Sequence, residues 1–384
     1  MDFDPQALSA VDDPYPVFDE LRENHPVFHS AGRDLWVVSR YEDVRAMLLD
    51  AETYASGMGT VPTGFVSHKP MLITQDAPYH THLRDAVHKA FAPSRMRALN
   101  GFIRSTTQSL LDAIDPEAET DLFGTLTDPL PVAVVTEILG IGFEDRKEFS
   151  SYAGAVIHAV EGQSPTAEEG MLWIYAYLEK MLPDREAEPG NDLVSELLHP
   201  APGVPQLDHD EVVGFCSLLL MAGTETTTNG LGNAVALLER HPELRRRLVK
   251  EPKAIPGAIE EFLRLESPVP GLSRVTTRDV ELQGQAIPKG SRVHMAFAAA
   301  NRDERAFPDA QLLDPSRSPN PHLAFSLGVH FCLGARLART EMRIVLEELL
   351  ARFPEYEVIP ERWVRLQSDA ARGFSFLPFI GRPG

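Results

Sequence analysis

The chain has 384 residues, of which 36 are Lys or Arg and 56 are Asp or Glu, so its formal net charge is −20. A chain this acidic is not expected to bind nucleic acid in a general way, because phosphate backbones are held by basic surfaces. Hydrophobic residues make up 43% of the chain, which is enough for a large core and argues against wholesale disorder.

The N-terminus lacks the basic start and the apolar run of a signal peptide. The strongest apolar run, residues 215–223, is far shorter than the roughly 20 residues of a membrane helix. With two cysteines the chain has no disulfide framework, which fits a reducing compartment. We therefore expect a cytoplasmic protein that does not associate with membranes.

The predicted elements are mostly helical in the first half of the chain. Residues 27–29 and 35–38 predict a β-hairpin from their alternation and the turn residues between them. After a Pro-rich stretch, Asp208 or Asp210 is expected to cap a long helix that ends near Arg240, just before a proline. The middle of this helix, residues 215–222, is apolar all round, which predicts that it is buried on every side.

In the second half, a helix is predicted near 258–265, short strands near 280–282 and 292–295, and another helix over 335–353. Residues 301–321 form an irregular stretch that is too long for a simple connector and is expected to have a structural role. No repeat and no long linker appears, so residues 1–384 are predicted to form a single domain. The absence of a Gly-x-Gly-x-x-Gly fingerprint predicts that no reductase is fused to it.

The most informative segment is residues 325–336, which read Phe-Ser-Leu-Gly-Val-His-Phe-Cys-Leu-Gly-Ala-Arg. Two glycines bracket Cys332, and a helix is predicted directly after it. A thiol at a helix N-terminus has its anion stabilised and its pKa lowered, so Cys332 is a candidate nucleophile or metal ligand. The alternative is an inert, buried cysteine, which is what we expect for Cys216 on its apolar helix.

Residues 325–334 resemble the haem-ligand loop of the cytochrome P450 family, written Phe-x-x-Gly-x-His/Arg-x-Cys-x-Gly, although Ser326 stands where the family often has Gly. The resemblance extends from about residue 12 to the C-terminus. It implies a mainly α fold with minor β sheets, the cytochrome P450 fold, in which haem b lies between the long central helix and the cysteine loop. It also implies that Cys332 is the axial ligand of the haem iron and that His330 reaches a haem propionate.

The long helix carries the sequence Ala-Gly-Thr-Glu-Thr-Thr at residues 222–227. Polar groups buried in a helix need hydrogen-bond partners, and a kink is one interpretation of such a segment. The segment also resembles the family signature Ala/Gly-Gly-x-Asp/Glu-Thr-Thr. That resemblance implies that Thr226 donates a hydrogen bond during oxygen activation and that Glu225 relays protons from solvent.

Two further groups of residues match family positions. Glu261 and Arg264, with Arg317 from the irregular stretch, resemble the Glu-x-x-Arg motif and its partner, which implies a structural role rather than a catalytic one; a surface ion pair is the alternative. His80 and Arg84 lie four residues apart on a predicted helix, which suits them to one anion. By resemblance they and Arg274 bind the haem propionates.

The resemblance implies a haem-thiolate monooxygenase that oxidises a mostly apolar small organic molecule with O2. Two electrons are expected from a separate acidic ferredoxin or flavodoxin with its reductase. The alternatives are a peroxide-driven peroxygenase, a non-catalytic haem-binding protein and a cysteine hydrolase. A candidate docking face for the electron carrier, which is equally compatible with a solvated helix surface, comprises Arg84, Lys89, Arg95, Arg97, Arg104, Arg336, Arg339 and Arg343.

Overall fold

The structure is a computed structural model that describes residues 3–64, 66–142 and 166–382, together with positions 144–146, 148, 149, 151, 152 and 156. The chain divides into two compact units. The first unit holds the residues up to 66, residues 107–127 and the chain from 226 onward, and the second holds residues 67–106 and 128–225. Whether residues 1–384 form a single domain stays a prediction.

Helices make up most of the regular structure. The α-helices are α1 (Pro5–Ala10), α2 (Tyr15–Asn24), α3 (Tyr41–Leu49), α4 (Tyr79–Val87), α5 (Pro93–Ala98), α6 (Asn100–Asp112), α7 (Pro129–Leu139), α8 (Ala167–Ala187), α9 (Leu193–Leu198), α10 (His209–Arg240), α11 (Pro242–Lys250), α12 (Ile255–Leu265), α13 (Phe297–Ala300) and α14 (Ala335–Arg352). Short 3₁₀ turns include Gly328–His330, and Phe123–Thr127 forms a π-helical turn.

Among the described residues, all β-strands belong to the first unit. They are β1 (Val27–Ser30), β2 (Leu35–Val38), β3 (Tyr54–Ala55), β4 (Thr120–Asp121), β5 (Leu272–Thr276), β6 (Val280–Leu282), β7 (Gln285–Ile287), β8 (Arg292–Met295), β9 (Glu355–Val358), β10 (Val364–Arg365), β11 (Phe374–Phe376) and β12 (Pro378–Arg382). The largest sheet has the order β1-β2-β8-β5-β3, and only its β2–β8 pair is parallel.

The predicted elements agree well with these bounds. The hairpin is confirmed, with Val27 opposite Val38 across β1 and β2. The strands predicted near 280–282 and 292–295 are β6 and β8, and the last predicted helix is α14. The helix predicted from residue 258 begins at Ile255, because Pro256 in its first turn needs no hydrogen-bond partner for a backbone N–H.

The central helix, α10, is 32 residues long. Of the two predicted caps, Asp208 is the one used: its carboxylate accepts from the backbone N of Glu211, and Glu211 accepts from the backbone N of Asp208, both at 2.8 Å. This reciprocal arrangement satisfies two amides that a helix start leaves without partners. The helix ends at Arg240, as predicted, because Pro242 cannot continue it.

A buried carboxylate organises the irregular stretch 301–321. Glu261 and Arg264 lie one turn apart on α12, and both side chains are fully buried. Arg264 donates to Glu261 from Nε at 2.8 Å and from Nη2 at 2.6 Å. Arg317 Nε and the backbone N of Asp314 donate to the same carboxylate at 3.2 and 3.0 Å. Glu261, Arg264 and Arg317 are therefore brought together, in a geometry that suits the predicted structural role.

Arg264 also binds the stretch directly, since its guanidinium donates to the carbonyls of Asn301, Ala310 and Leu312 at 2.9, 2.7 and 3.0 Å. Burial raises the pKa of Glu261, but its hydrogen bonds, chiefly from Arg264, outweigh burial and lower the pKa overall. The carboxylate thus stays charged although it is buried. Backbone groups that lack a helix or sheet partner are satisfied here by side chains instead.

Replacing Arg264 by Met should destabilise the protein by about 3–5 kcal/mol, because it leaves the charge of Glu261 buried without its main partner. Urea unfolding followed by circular dichroism measures the change. Arg247→Met is the matched control, since Arg247 on α11 forms an ion pair with Glu251, the residue after this helix, and both side chains are half exposed; we expect it to cost less than about 1 kcal/mol. Equal losses in the two variants would contradict the structural role of Arg264.

Candidate functional site

The loop around Cys332 is held rigidly before α14 begins. The backbone N of Cys332 donates to the carbonyl of Phe325 at 2.9 Å, which closes residues 325–332 into a ring. Cys332 is half-buried and lies three residues before the first residue of α14. A thiol in this position meets the positive end of the helix dipole, which favours the thiolate.

Backbone conformation inside the loop depends on residues 326 and 328. Gly328 has φ +68°, and a Cβ there would lie 2.6 Å from the carbonyl oxygen of Leu48, so only glycine fits. Ser326, which departs from the family pattern, has φ +59° and is 7% exposed. Within the described part of the chain its hydroxyl has no hydrogen-bond partner. The loop thus keeps a side chain where the backbone geometry favours glycine.

Two of the predicted cofactor anchors lie in the same unit as Cys332. His330 is in the 3₁₀ turn before it, with Nε2 3.0 Å from Oγ of Ser56. Arg274 is on β5, is 3% exposed and donates to the carbonyl of Ser273 at 2.8 Å. A buried guanidinium is stabilised by a facing carboxylate, so the position of Arg274 suits an anionic ligand.

The other two anchors, His80 and Arg84, lie one turn apart on α4 in the second unit. His80 is 4% exposed, whereas Arg84 is half-buried. Burial and the charge of Arg84 lower the pKa of His80, which favours the neutral imidazole at physiological pH. A neutral histidine beside an arginine presents one N–H donor and one cation, which together suit a carboxylate.

One face of the central helix is only partly covered by protein. Its residues recur at helical spacing and are half-buried, except Ala222, which is exposed: Leu218, Met221, Ala222, Glu225 and Thr226. The rest of the turns around them are mostly buried, so the prediction of burial on every side is wrong for this face. The reason is that an apolar residue on an accessible face cannot be told from a core residue by its type. Glu225 and Thr226 follow the apolar part of this face along the helix.

Several cations of the candidate docking face are already paired. Arg339 is bonded to Glu260, Arg343 donates to Glu347 at 2.7 Å, and Arg95 forms an ion pair with Glu196. Lys89, Arg97 and Arg336 are exposed. Part of the positive charge is therefore already neutralised. The sequence did not indicate this, because Glu260 and Glu196 are distant in sequence from their partners, and Glu347 lies one helical turn from Arg343.

A second polar cluster, which the sequence analysis missed, surrounds Glu260, beside Glu261 on α12. Arg339 on α14 donates to both oxygens of Glu260, each at 2.7 Å, and His322 Nε2 lies 3.1 Å from it. Burial raises the pKa of Glu260, but the hydrogen bonds from Arg339 and His322 outweigh it and lower the pKa to about 2. The acidic residue before the Glu-x-x-Arg motif was the available signal, and it resembles an ordinary surface residue.

Replacing Ser326 by Gly should raise the free energy of unfolding by about 1 kcal/mol. The change relieves the strain of the left-handed conformation and removes an unpaired hydroxyl. These gains are partly offset because glycine has more conformational freedom in the unfolded chain. Ser326→Ala is the matched control: it removes the hydroxyl but keeps the Cβ, so its gain should be smaller. Urea unfolding followed by circular dichroism ranks the three proteins. A glycine variant less stable than the wild type would contradict this account of the loop.

Comparisons with known proteins give one consistent family. A sequence model described as "Cytochrome P450" matches residues 173–378. The chain is 36% identical over 385 residues to cytochrome P450 130 of Mycobacterium tuberculosis, covering 95% of this chain and 94% of the relative. It is 35% identical over 381 residues to vitamin D(3) 25-hydroxylase of Pseudonocardia autotrophica, covering 96% and 94%.

The fold agrees with solved structures of the same family. The structure of cytochrome P450 CYP109Q5 from Chondromyces apiculatus superposes with a TM-score of 0.92 at 32% identity, and covers 100% of this chain and 99% of that one. Among the helices that the structure describes, none has the length and hydrophobicity of a membrane span.

Proposed function

The chain belongs to the cytochrome P450 family, and we propose from that premise that Cys332 is the axial ligand of its haem iron. The protein binds haem b and is a monooxygenase that acts on a small organic substrate with O2 and electrons from a redox partner. The observation that carries the ligand assignment is the Cys332 loop, because it holds one half-buried thiol at a helix start with its backbone already bonded to Phe325.

The residues present fit haem b in their chemistry. A thiolate suits the iron, and a buried guanidinium, a second arginine and two imidazoles suit the two propionates. The propionate groups would be held by Arg274, His330, His80 and Arg84. When bound, the haem supplies O2 activation, inserting one oxygen atom into the substrate while the other is reduced to water.

Glu225 and Thr226 would deliver the protons that O2 cleavage consumes. Both side chains lie on the accessible face of the central helix, so water can reach them. The Glu225 carboxylate takes a proton from water and the Thr226 hydroxyl passes one on at Oγ1, which is the work of a positioned acid and alcohol. This pair supports an O2-dependent reaction over a peroxide-driven peroxygenase, which can do without proton delivery, and over a non-catalytic haem protein.

The substrate is proposed to be mostly apolar. Leu218, Met221 and Ala222 form the apolar part of the accessible helix face, and such surfaces bind apolar molecules with few polar contacts. Vitamin D(3) 25-hydroxylase, a relative covering most of the chain, has a name that fits such a substrate class.

The electron donor is proposed to be an acidic ferredoxin or flavodoxin with its reductase, attracted by exposed cations, which are Lys89 and Arg97 in the second unit and Arg336 in the first. Because several other cations are paired, the attraction should be modest and should weaken with salt. The cytoplasmic location stays a prediction.

Cys332→Ala should abolish the red-shifted Soret band of the reduced carbon monoxide complex, because that band requires a thiolate ligand. Difference spectroscopy of the reduced protein with carbon monoxide measures it. Cys216→Ala is the control, since Cys216 is fully buried on the central helix and burial raises its pKa to about 12, so it stays a thiol. An unchanged band in Cys332→Ala would refute the ligand assignment.

Thr226→Ala should keep this band but divert electrons from product to hydrogen peroxide, because proton delivery is impaired. The assay compares NADPH consumed, product formed and peroxide released with an added redox partner and a turned-over substrate. Thr224→Ala is the control: the Thr224 hydroxyl is buried and donates to the carbonyl of Leu220 at 2.6 Å, away from the accessible face. Equal coupling in both variants would count against the role of Thr226.

A further inference from the structure

The Arg339 side chain contacts Phe325 at the start of the Cys332 loop. It lies on the second turn of α14 and forms a two-pronged ion pair with Glu260 of α12, with both N···O distances at 2.7 Å. The guanidinium carbon lies 4.2 Å from the centre of the Phe325 ring. A guanidinium over an aromatic face is attracted to it, and a bidentate carboxylate fixes the plane of the guanidinium.

His322 completes this cluster and also contacts Phe325. Its Nδ1 accepts the backbone N–H of Ala324 at 3.3 Å, so Nδ1 carries no proton. Nε2 then carries the ring proton and donates to Glu260 at 3.1 Å. The His322 ring also lies 5.9 Å from the Phe325 ring, centre to centre. Glu260 therefore holds two side chains that both contact Phe325.

Phe325 connects the cluster to the cysteine. Its carbonyl accepts the backbone N–H of Cys332, and the segment before it is fixed by the bond from Leu323 N to Asn301 Oδ1 at 2.7 Å. While Phe325 stays in place, this bond fixes the backbone of Cys332 and therefore the position from which its side chain extends. The environment and position of a ligating sulfur change the reduction potential of the metal, so the placement of the Cys332 backbone matters.

We propose that Glu260 and Arg339 are positioning residues for Cys332: their ion pair holds the Phe325 ring, and through the Phe325 carbonyl it holds the backbone of Cys332 in place. The proposal rests on the assignment of Cys332 as the haem ligand. Loosening Phe325 allows the Cys332 backbone to move, which weakens the donation of charge from the sulfur to the iron. The haem iron then becomes easier to reduce, and part of the protein loses the thiolate bond.

The test uses the holoprotein with Arg339→Met, Glu260→Gln and the double variant. Dye-coupled reductive titration gives the reduction potential, and carbon monoxide difference spectra give the fraction with the red-shifted Soret band. Both single variants should raise the potential and lower that fraction. The double variant should shift the potential no further than one single variant, because the two residues act as a unit.

The direction of the shift separates positioning from simple charge. Removing a cation near the iron lowers its potential and removing an anion raises it, so a charge effect alone moves Arg339→Met and Glu260→Gln in opposite directions. Opposite shifts would therefore overturn the proposal. Glu260→Gln keeps the shape of the side chain, so it preserves the test should Arg339→Met fold poorly.

Arg343→Met is the matched control. Arg343 lies one turn further along α14, is similarly half-buried and pairs with Glu347 on the same helix. Its potential and band should stay as in the wild type. A shift in Arg343→Met as large as that in Arg339→Met would overturn the proposal. Wild-type potentials and band fractions in all variants would also overturn it. Neither outcome would affect the assignment of Cys332 as the ligand. A wild-type protein without the red-shifted band would instead overturn the ligand assignment and the proposal with it.

Discussion

The buried charge of Glu261 is the constraint on which the Cys332 side of the molecule depends. A carboxylate removed from water is stable only while donors face it, and here those donors include Arg264, Arg317, the backbone of Asp314 and the amide of Asn320. Most of them come from residues 301–321. That stretch has no helix or strand of its own, so the charge gives it one conformation where backbone hydrogen bonding does not. The segment that enters the cysteine loop starts from this fixed base.

Adjacent acids on α12 serve different segments of the chain. Glu261 faces the irregular stretch, whereas Glu260 faces α14 and the residues around Phe325. Since consecutive residues on a helix point about 100° apart, one short helix holds both segments. The loop of Cys332 is thus fixed from its beginning by Glu260, in its middle by Gly328 against Leu48, and at its end by the start of α14.

Local features of the sequence predicted much of this arrangement. The hairpin of β1 and β2, the ends of the central helix and the cysteine loop all follow from short patterns and from turn or capping residues close in the chain. The family motifs also indicated that Glu261, Arg264 and Arg317 belong together, and the structure brings them together. These features share one property: the residues that decide them are neighbours or lie in a motif with fixed spacing.

The features that could not be predicted depend on residues far apart in sequence. Arg339 looked like a surface cation because its partner Glu260 lies on another helix. The accessible face of the central helix was expected to be buried, because Leu218 and Ala222 are of residue types that are common in protein cores. The sequence shows that Ser326 departs from the family pattern, but its positive φ and its unpaired hydroxyl are visible only in the structure. The type of a residue indicates its polarity, whereas what its side chain contacts is determined by how the chain packs.

The single parallel pair in the largest sheet has a consequence for how the chain is made. β2 can pair with β1 once both have emerged from the ribosome, but its other edge pairs with β8, where Trp36 lies opposite Val293 and which is synthesised more than 250 residues later. Until then a ribosome-bound chain presents a short strand with unpaired backbone groups, the kind of edge at which chains stick to one another. Such a nascent protein gains from chaperone protection until the later strand emerges, and its yield in a foreign host should depend on the rate of translation.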